Sequence, residues 1–251
     1  MLETRDLTIR FGGHVAVDHV SCAFAPGTLT AIVGPNGAGK TTYFNLISGQ
    51  LPASGGQVLL NGEDIGRLPA PLRTRRGLGR AFQLTQLFPH LSVLENVRLA
   101  VQARRGVGLR MLSVWLNHCE LIAEARAIVE RVRLAARADA LAASLPHGDQ
   151  RKLEVAMLIA LDPQVYMFDE PTAGMSVDEV PVILDLIREL KAQRKHTILL
   201  VEHKMDVVRE LADRIIVLHQ GRLVADGEPA AVIASPVVQQ AYLGVASEEA
   251  A

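Results

Sequence analysis

The 251-residue chain predicts an α/β fold with a β-rich beginning and a helical subdomain inserted into its middle. Three observations carry this. Residues 28–33 read as a strand entering the stretch Gly34-Pro35-Asn36-Gly37-Ala38-Gly39-Lys40-Thr41-Thr42. Residues 41–48 read as a helix leaving it, with Phe44 and Ile47 inward and Gly49 as a stop. Residues 164–168 and 197–201 are short apolar runs typical of parallel strands buried on both faces, and residues 180–191 between them set Ile183, Ile187 and Leu190 on one helical face. From about 84 to 160, Ala, Leu, Arg and Glu are frequent and β-branched runs are few, which suits helices.

The other elements follow in chain order. Leu7, Ile9 and Phe11 alternate with polar residues, as do Val20, Cys22 and Phe24, in runs bounded by glycine or by Pro26-Gly27. Val58-Leu59-Leu60 runs into the turn pair Asn61-Gly62. Residues 120–134 place Ile122, Ala125, Val129 and Val132 at helical spacing. Residues 214–218 and 222–225, joined by Gln220-Gly221, read as a closing hairpin, and residues 247–251 as a frayed tail. The expected plan is one domain: an α/β core from about 1–83 and 161–230, a helical part at about 84–160, and an extension at 229–251.

Bulk properties narrow the function. A formal net charge of −1 gives no basic field that would favour nucleic acid. Cys22 and Cys119 lack metal spacing and read as buried free thiols in a reducing compartment. The start Met1-Leu2-Glu3-Thr4-Arg5-Asp6 lacks the basic and apolar regions of a signal peptide. No stretch approaches the roughly 18 apolar residues of a membrane span. A soluble, cytosolic chain is expected, with any membrane role supplied by a partner.

The glycine-rich stretch fits the spacing of a loop that wraps nucleotide phosphates. Its glycines let backbone N–H groups converge on phosphate oxygens. Lys40 would set a point charge on the β- and γ-phosphates, and the Thr41 hydroxyl would ligate Mg²⁺. The helix start adds its partial positive charge, so a nucleoside triphosphate is the expected ligand. Asp169 and Glu170 end an apolar strand, where ligands sit in such sheets. Asp169 would hold Mg²⁺, and Glu170 would take a proton from the water attacking the γ-phosphate. Leu145-Pro146-His147-Gly148-Asp149-Gln150 is a turn opening a second helix, with Asp149 either part of an anion site or simply an N-cap. His203, after the strand ending in Val201, would donate to the γ-phosphate or be structural. Gln83 would ligate Mg²⁺ or the attacking water.

In this order the stations resemble the ATP-binding-cassette (ABC) ATPases over nearly the whole chain. The resemblance implies a P-loop NTPase core with an N-terminal antiparallel β subdomain and an inserted α-helical subdomain, using ATP and Mg²⁺. It makes Phe11 the aromatic that stacks on adenine, Gly34 to Thr42 the Walker A loop, and Gln83 the Q-loop. It makes residues 145–150 the signature, usually L-S-G-G-Q, and Asp169 with Glu170 the Walker B pair and catalytic glutamate. Ala173-Gly174-Met175-Ser176 becomes the D-loop and His203 the switch histidine. Two positions depart from the pattern. Pro146 replaces the signature serine, so the Gly148 N–H and the helix end carry more of the phosphate contact. Ser176 stands where Asp or Asn is usual.

The resemblance further implies a homodimer, or a heterodimer with a second cassette, in which the helix opening at Gly148 completes the site formed by Lys40, Glu170 and His203 of the other subunit. It implies two transmembrane permease subunits, a periplasmic solute-binding protein reached through them, and a place on the cytoplasmic face of the inner membrane. Leu87 and Phe88, in a segment expected to be helical, either face a permease or pack the helical part. Residues 79–83, 87–97, 148–156, 169–175 and 241–244, with the extra stretch from Arg104 to Ala123, resemble the larger cassette subunit of branched-chain amino acid importers. Urea and short-chain amide importers share this pattern. Two rival classes fit less. A soluble repair or translation ATPase would carry a coiled-coil insertion or fused cassettes, and a small-molecule kinase or GTPase would lack the Gly148 signature and the later histidine.

Overall fold

The computed structural model describes residues 1–81, 87–106 and 119–243, with side chains to residue 240. Gln83, most of the extra stretch and the tail fall outside these residues. The chain divides into two compact units.

The first unit comprises Met1–Leu78, Gln164–Glu170 and the chain from Gln193 onward. It opens with β1 (Leu2–Phe11), β2 (His14–Phe24), β3 (Leu29–Val33), α1 (Lys40–Ser48), β4 (Gly55–Leu60), β5 (Glu63–Asp64) and α2 (Ala70–Arg75). Strands β2, β1, β4 and β5 form an antiparallel sheet in that order. The alternation is kept in β2 at Val20, Cys22 and Phe24, but not in β1, where Leu7, Thr8 and Ile9 are all buried and Phe11 is exposed, beside register shifts between Thr4 and Leu7. Asn61-Gly62 turns β4 into β5, both residues at positive φ, as hairpin turns require.

A strand β6 (Leu78–Ala81) leads into the second unit: α3 (Val93–Arg104), α4 (Cys119–Arg131), α5 (His147–Leu161) and, after β7 (Val165–Asp169), α6 (Val180–Ala192). The chain then returns through β8 (Thr197–Val201), α7 (Met205–Leu211), β9 (Arg214–His219), β10 (Arg222–Gly227), α8 (Pro229–Ile233) and α9 (Pro236–Leu243). In the first unit β9, β3, β8 and β7 lie side by side and parallel, with β10 antiparallel at the β9 edge. All five residues of β3, β7 and β8 are buried, as continuous apolar strands covered on both faces should be. The core between the sheets includes Phe24, Tyr43, Phe44, Ile47, Met167 and Leu199.

Within the second unit α3 packs on α4 and α5. The Ser92 hydroxyl caps α3 by accepting from Glu95 N–H at 3.2 Å. Helix α6 buries Ile183, Ile187 and Leu190 as its spacing requires. Each such side chain contributes about 2 kcal/mol.

Three further sequence expectations are corrected. The buried face of α4 is Leu121, Ala125, Ile128 and Val129, with Ile122 only half-buried. Ala125, Val129 and, just past the helix, Val132 are buried as their spacing implies, and Leu121 and Ile128 rather than Ile122 complete the face. Cys119 is exposed and not buried. Two residues before Leu121, it is turned about 200° away from the packed face. Cys22 is buried on β2, and burial pushes its thiol up to about 11. Finally, Leu87 and Phe88 carry no helix; Phe88 is 50% exposed, with its N–H on Asn96 Oδ1 at 2.8 Å.

Candidate functional site

Strand β3 ends at Val33 and the chain turns through a loop into α1. A Cβ on Gly34 would lie 2.1 Å from the Leu218 carbonyl oxygen, so the loop closes over β9 only because the residue is glycine. Backbone bonds then fix the loop: Ala38 N–H to Pro35 O at 3.1 Å, Tyr43 N–H to Gly39 O at 2.8 Å, and Gly221 N–H to Ala38 O at 3.0 Å. Helix α1 has no acidic residue in its first turn and no side-chain cap. Its positive end is therefore left for an anion. Lys40 Nζ folds back onto the carbonyls of Gly34 and Pro35 at 2.7 and 3.0 Å. Burial pushes the Lys40 pKa down, against the pull of Glu170 and Asp169.

Strand β7 delivers Asp169, 1% exposed, and then Glu170. Glu170 holds φ at 48°, with its N–H on Val201 O at 2.9 Å. A non-glycine residue held there costs on the order of 1 kcal/mol and is a mark of functional sites. The turn brings Glu170 Oε1 to 2.8 Å from His203 Nε2. His203 follows β8, with its N–H on Glu202 Oε2 at 2.8 Å.

Residues 36–42 line one cleft of about 470 Å³ together with Phe11, His14, Ala16, Glu170 and His203. The cleft thus gathers a half-exposed aromatic ring, the glycine loop with Lys40, Thr41 and Thr42, and a carboxylate paired to an imidazole. Gly34 and Pro35 anchor the loop without lining the cleft, and Asp169 stays buried at the strand end. His14 and Ala16 escaped the sequence reading. His14 is the cross-strand partner of Phe11, and partners across an antiparallel pair share a face. That pairing was the available signal.

The oxygen donors Thr41 and Asp169 suit a hard cation such as Mg²⁺. Among the described residues no group of three or more His, Cys, Asp or Glu could hold a metal. A cation here would therefore need phosphate oxygens to complete its shell.

Gly148 belongs to the second unit as the second residue of α5. Pro146 stands in the cap position and supplies no side-chain bond. Asp149 is therefore not the N-cap. It lies inside the first turn, paired with Lys152 Nζ at 2.9 Å and Arg137 Nε at 3.1 Å.

Comparison with known proteins agrees with this geometry. The family described as "ABC transporter" matches residues 17–173. The chain is 37% identical to the "High-affinity branched-chain amino acid transport ATP-binding protein LivG" of Escherichia coli K12, covering 98% of each chain. It is 36% identical to the protein of the same description named BraF from Pseudomonas aeruginosa, again over 98% of each. Among solved structures it is similar to the ADP conformation of MJ1267, an ATP-binding cassette of an ABC transporter. There the TM-score is 0.80 at 29% identity, covering 98% of this chain and 99% of that one. A nucleotide-free cassette from an ABC transporter gives a TM-score of 0.81 at 28% identity, with the same coverage. The glycine loop, the paired Glu170 and His203 and these full-length matches lead to one assignment: the chain is an ATP-binding cassette and belongs to the ABC transporter family.

Proposed function

We propose that this ATPase energises a membrane importer for branched-chain or related hydrophobic amino acids. The observation that carries the mechanism is the Glu170–His203 pair at 2.8 Å on the cleft that also holds Lys40. ATP would lie with adenine against Phe11 and its phosphates over Gly34, Pro35, Asn36, Gly37, Ala38 and Gly39. Lys40 would leave the loop carbonyls for the β- and γ-phosphates, and Thr42 would bound the α1 end of the cradle. Thr41 and Asp169, with Gln83, would hold Mg²⁺, which neutralises phosphate charge when bound. Glu170 accepts a proton from the attacking water, and His203, whose Nε2 lies on that carboxylate, would turn its N–H to the γ-phosphate. ADP and phosphate are the products.

Lys40, Glu170 and His203 stand in the first unit, and Gly148, at the amide end of α5, in the second. Completion by Gly148 of another cassette, in a homodimer or heterodimer, makes ATP the adhesive of the pair and hydrolysis its release. Such a stroke would act on two transmembrane permease subunits at the cytoplasmic face of the inner membrane, served by a periplasmic solute-binding protein. Among the described residues no helix is long and apolar enough to cross a membrane, so the pathway would lie in those partners. The names of the LivG and BraF relatives support the choice of solute.

The test is Glu170→Gln. Hydrolysis should fall about 100-fold or more, the variant should dimerise in ATP, and cells relying on it should lose uptake of leucine, isoleucine and valine. Wild-type hydrolysis would remove Glu170 as the base. Undiminished uptake of those amino acids would overturn the solute.

A further inference from the structure

The segment Ser176-Val177-Asp178-Glu179 has the S-x-x-E spelling of a helix start. Glu179 behaves accordingly: its Oε2 accepts from Ser176 N–H at 3.1 Å and from the Ser176 hydroxyl at 3.0 Å. Capping employs that oxygen alone. The other, Oε1, accepts from Lys152 Nζ at 3.1 Å, on α5. Lys152 also donates to Asp149 Oδ1 at 2.9 Å, and Asp149 Oδ2 meets Arg137 Nε at 3.1 Å. A continuous line of charge thus runs from Ser176 to the first turns of α5.

The backbone at the start of α5 is shaped to this carboxylate. A Cβ on Gly148 would lie 2.2 Å from Glu179 Oε2 and 2.4 Å from Oε1. The Glu179 carboxylate rests on the bare face of Gly148, and any side chain there would have to push the carboxylate off it. A second contact lies beside it: a Cβ on Gly174 would come within 3.0 Å of the His147 ring. Residues 173–176 and the opening of α5 are therefore seated on each other inside one unit. The Ser176 N–H pulls the Glu179 carboxyl below its usual range, with Lys152 adding to this. Burial opposes the charge on Lys152, but its bonds to Asp149 and Glu179 prevail and raise it.

We propose that Glu179 is a positioning residue for the reaction, fixing Ser176 against the start of α5 so that both present one surface to the nucleotide of a second copy. The proposal rests on the reading that Gly148 completes a site in another cassette. It does not concern nucleotide binding within one chain, because Lys40, Phe11 and the glycine loop lie in the other unit. The ion pair with Lys152 also cancels the charge that would otherwise repel an incoming phosphate.

Glu179→Gln separates the two roles of the side chain. Its amide oxygen can still accept from Ser176, keeping the cap, but its NH₂ faces the Lys152 ammonium and the link is lost. Lys152→Met removes the link from the other side while keeping the stem and the cap. Both are made in the wild-type and Glu170→Gln chains. Binding of a fluorescent ATP analogue to dilute monomer should stay within about twofold of the parent. ATP-driven dimerisation should weaken, and wild-type kcat fall, by about tenfold or more. Parent-like dimerisation and kcat in both variants would reduce Glu179 to a helix cap. Monomer binding lost in parallel would place the effect in the general fold and overturn the proposal. A Glu170→Gln parent that never dimerises in ATP would instead sink the underlying two-copy reading, and the proposal with it.

Discussion

The Gly34 contact isolates how closely the phosphate loop is fitted to the strand beneath it. A methyl group there meets a backbone carbonyl at 2.1 Å, and a carbonyl in a sheet cannot rotate aside as a side chain can. Gly34→Ala should therefore lift the loop from β9 and cut ATP-analogue affinity about tenfold or more, with a stability loss of about 2 kcal/mol. Equilibrium binding and urea unfolding measure the two effects, and an alanine variant with unchanged affinity would refute the fit. The same scale shows what single residues reveal in advance. The places of Gly34 in the loop and of Lys40 and Glu170 on the cleft were legible because each lies in a contiguous spelling. Glu179 was not, because it reaches Lys152, which only folding brings beside it; His14 needed the Phe11 pairing across the β1–β2 turn.

Helix α1 carries Lys40 at its start, and its other end is held by a residue from elsewhere in the chain. Arg73, on α2 and 2% exposed, donates to the carbonyls of Leu46 and Ile47 at 2.6 Å, with further bonds to Leu68 O and Gly66 O at 2.8 and 2.7 Å. A cation at the final carbonyls of a helix is favoured by the dipole, and the guanidinium fork satisfies several acceptors at once. Arg73→Ala should cost about 3 kcal/mol by taking this donor from the buried Ile47 carbonyl and the part-buried Leu68 and Gly66 carbonyls, whereas Leu46 O keeps the Gly49 N–H. Arg73→Lys should recover only part, since an ammonium lacks the fork. Urea midpoints of the three chains test this, and equal midpoints would show that water replaces the side chain freely. Nothing in the sequence around Arg73 announces this role. By contrast β3, α1, β8, α6 and the β9–β10 hairpin were readable, because burial on both faces, helical spacing and turn pairs are local signals. On α4 only Ile122 was misplaced, because Leu121 and Ile122 adjoin at the helix start and packing, not spacing, puts Leu121 inside.

Across the whole molecule the proposed phosphate contacts are divided: the cleft belongs to one unit and Gly148 to the other. Nucleotide binding to a lone chain and nucleotide trapped between two chains have different thermodynamic signatures. A ligand held by one chain stabilises it by RT ln(1 + [L]/Kd), about 2.7 kcal/mol at a hundred times Kd, whatever the protein concentration. A sandwich must dissociate as it unfolds, so its melting temperature rises with protein concentration. A hundredfold rise in protein adds about 2.7 kcal/mol per dimer, half of that per chain, which for a chain of this size is about 3–5 °C. Glu170→Gln protein with ATP and Mg²⁺ should show that rise in scanning calorimetry, and the same protein in ADP should show none. A melting temperature in ATP that ignores protein concentration would mean that the cleft closes on its nucleotide without a second cassette.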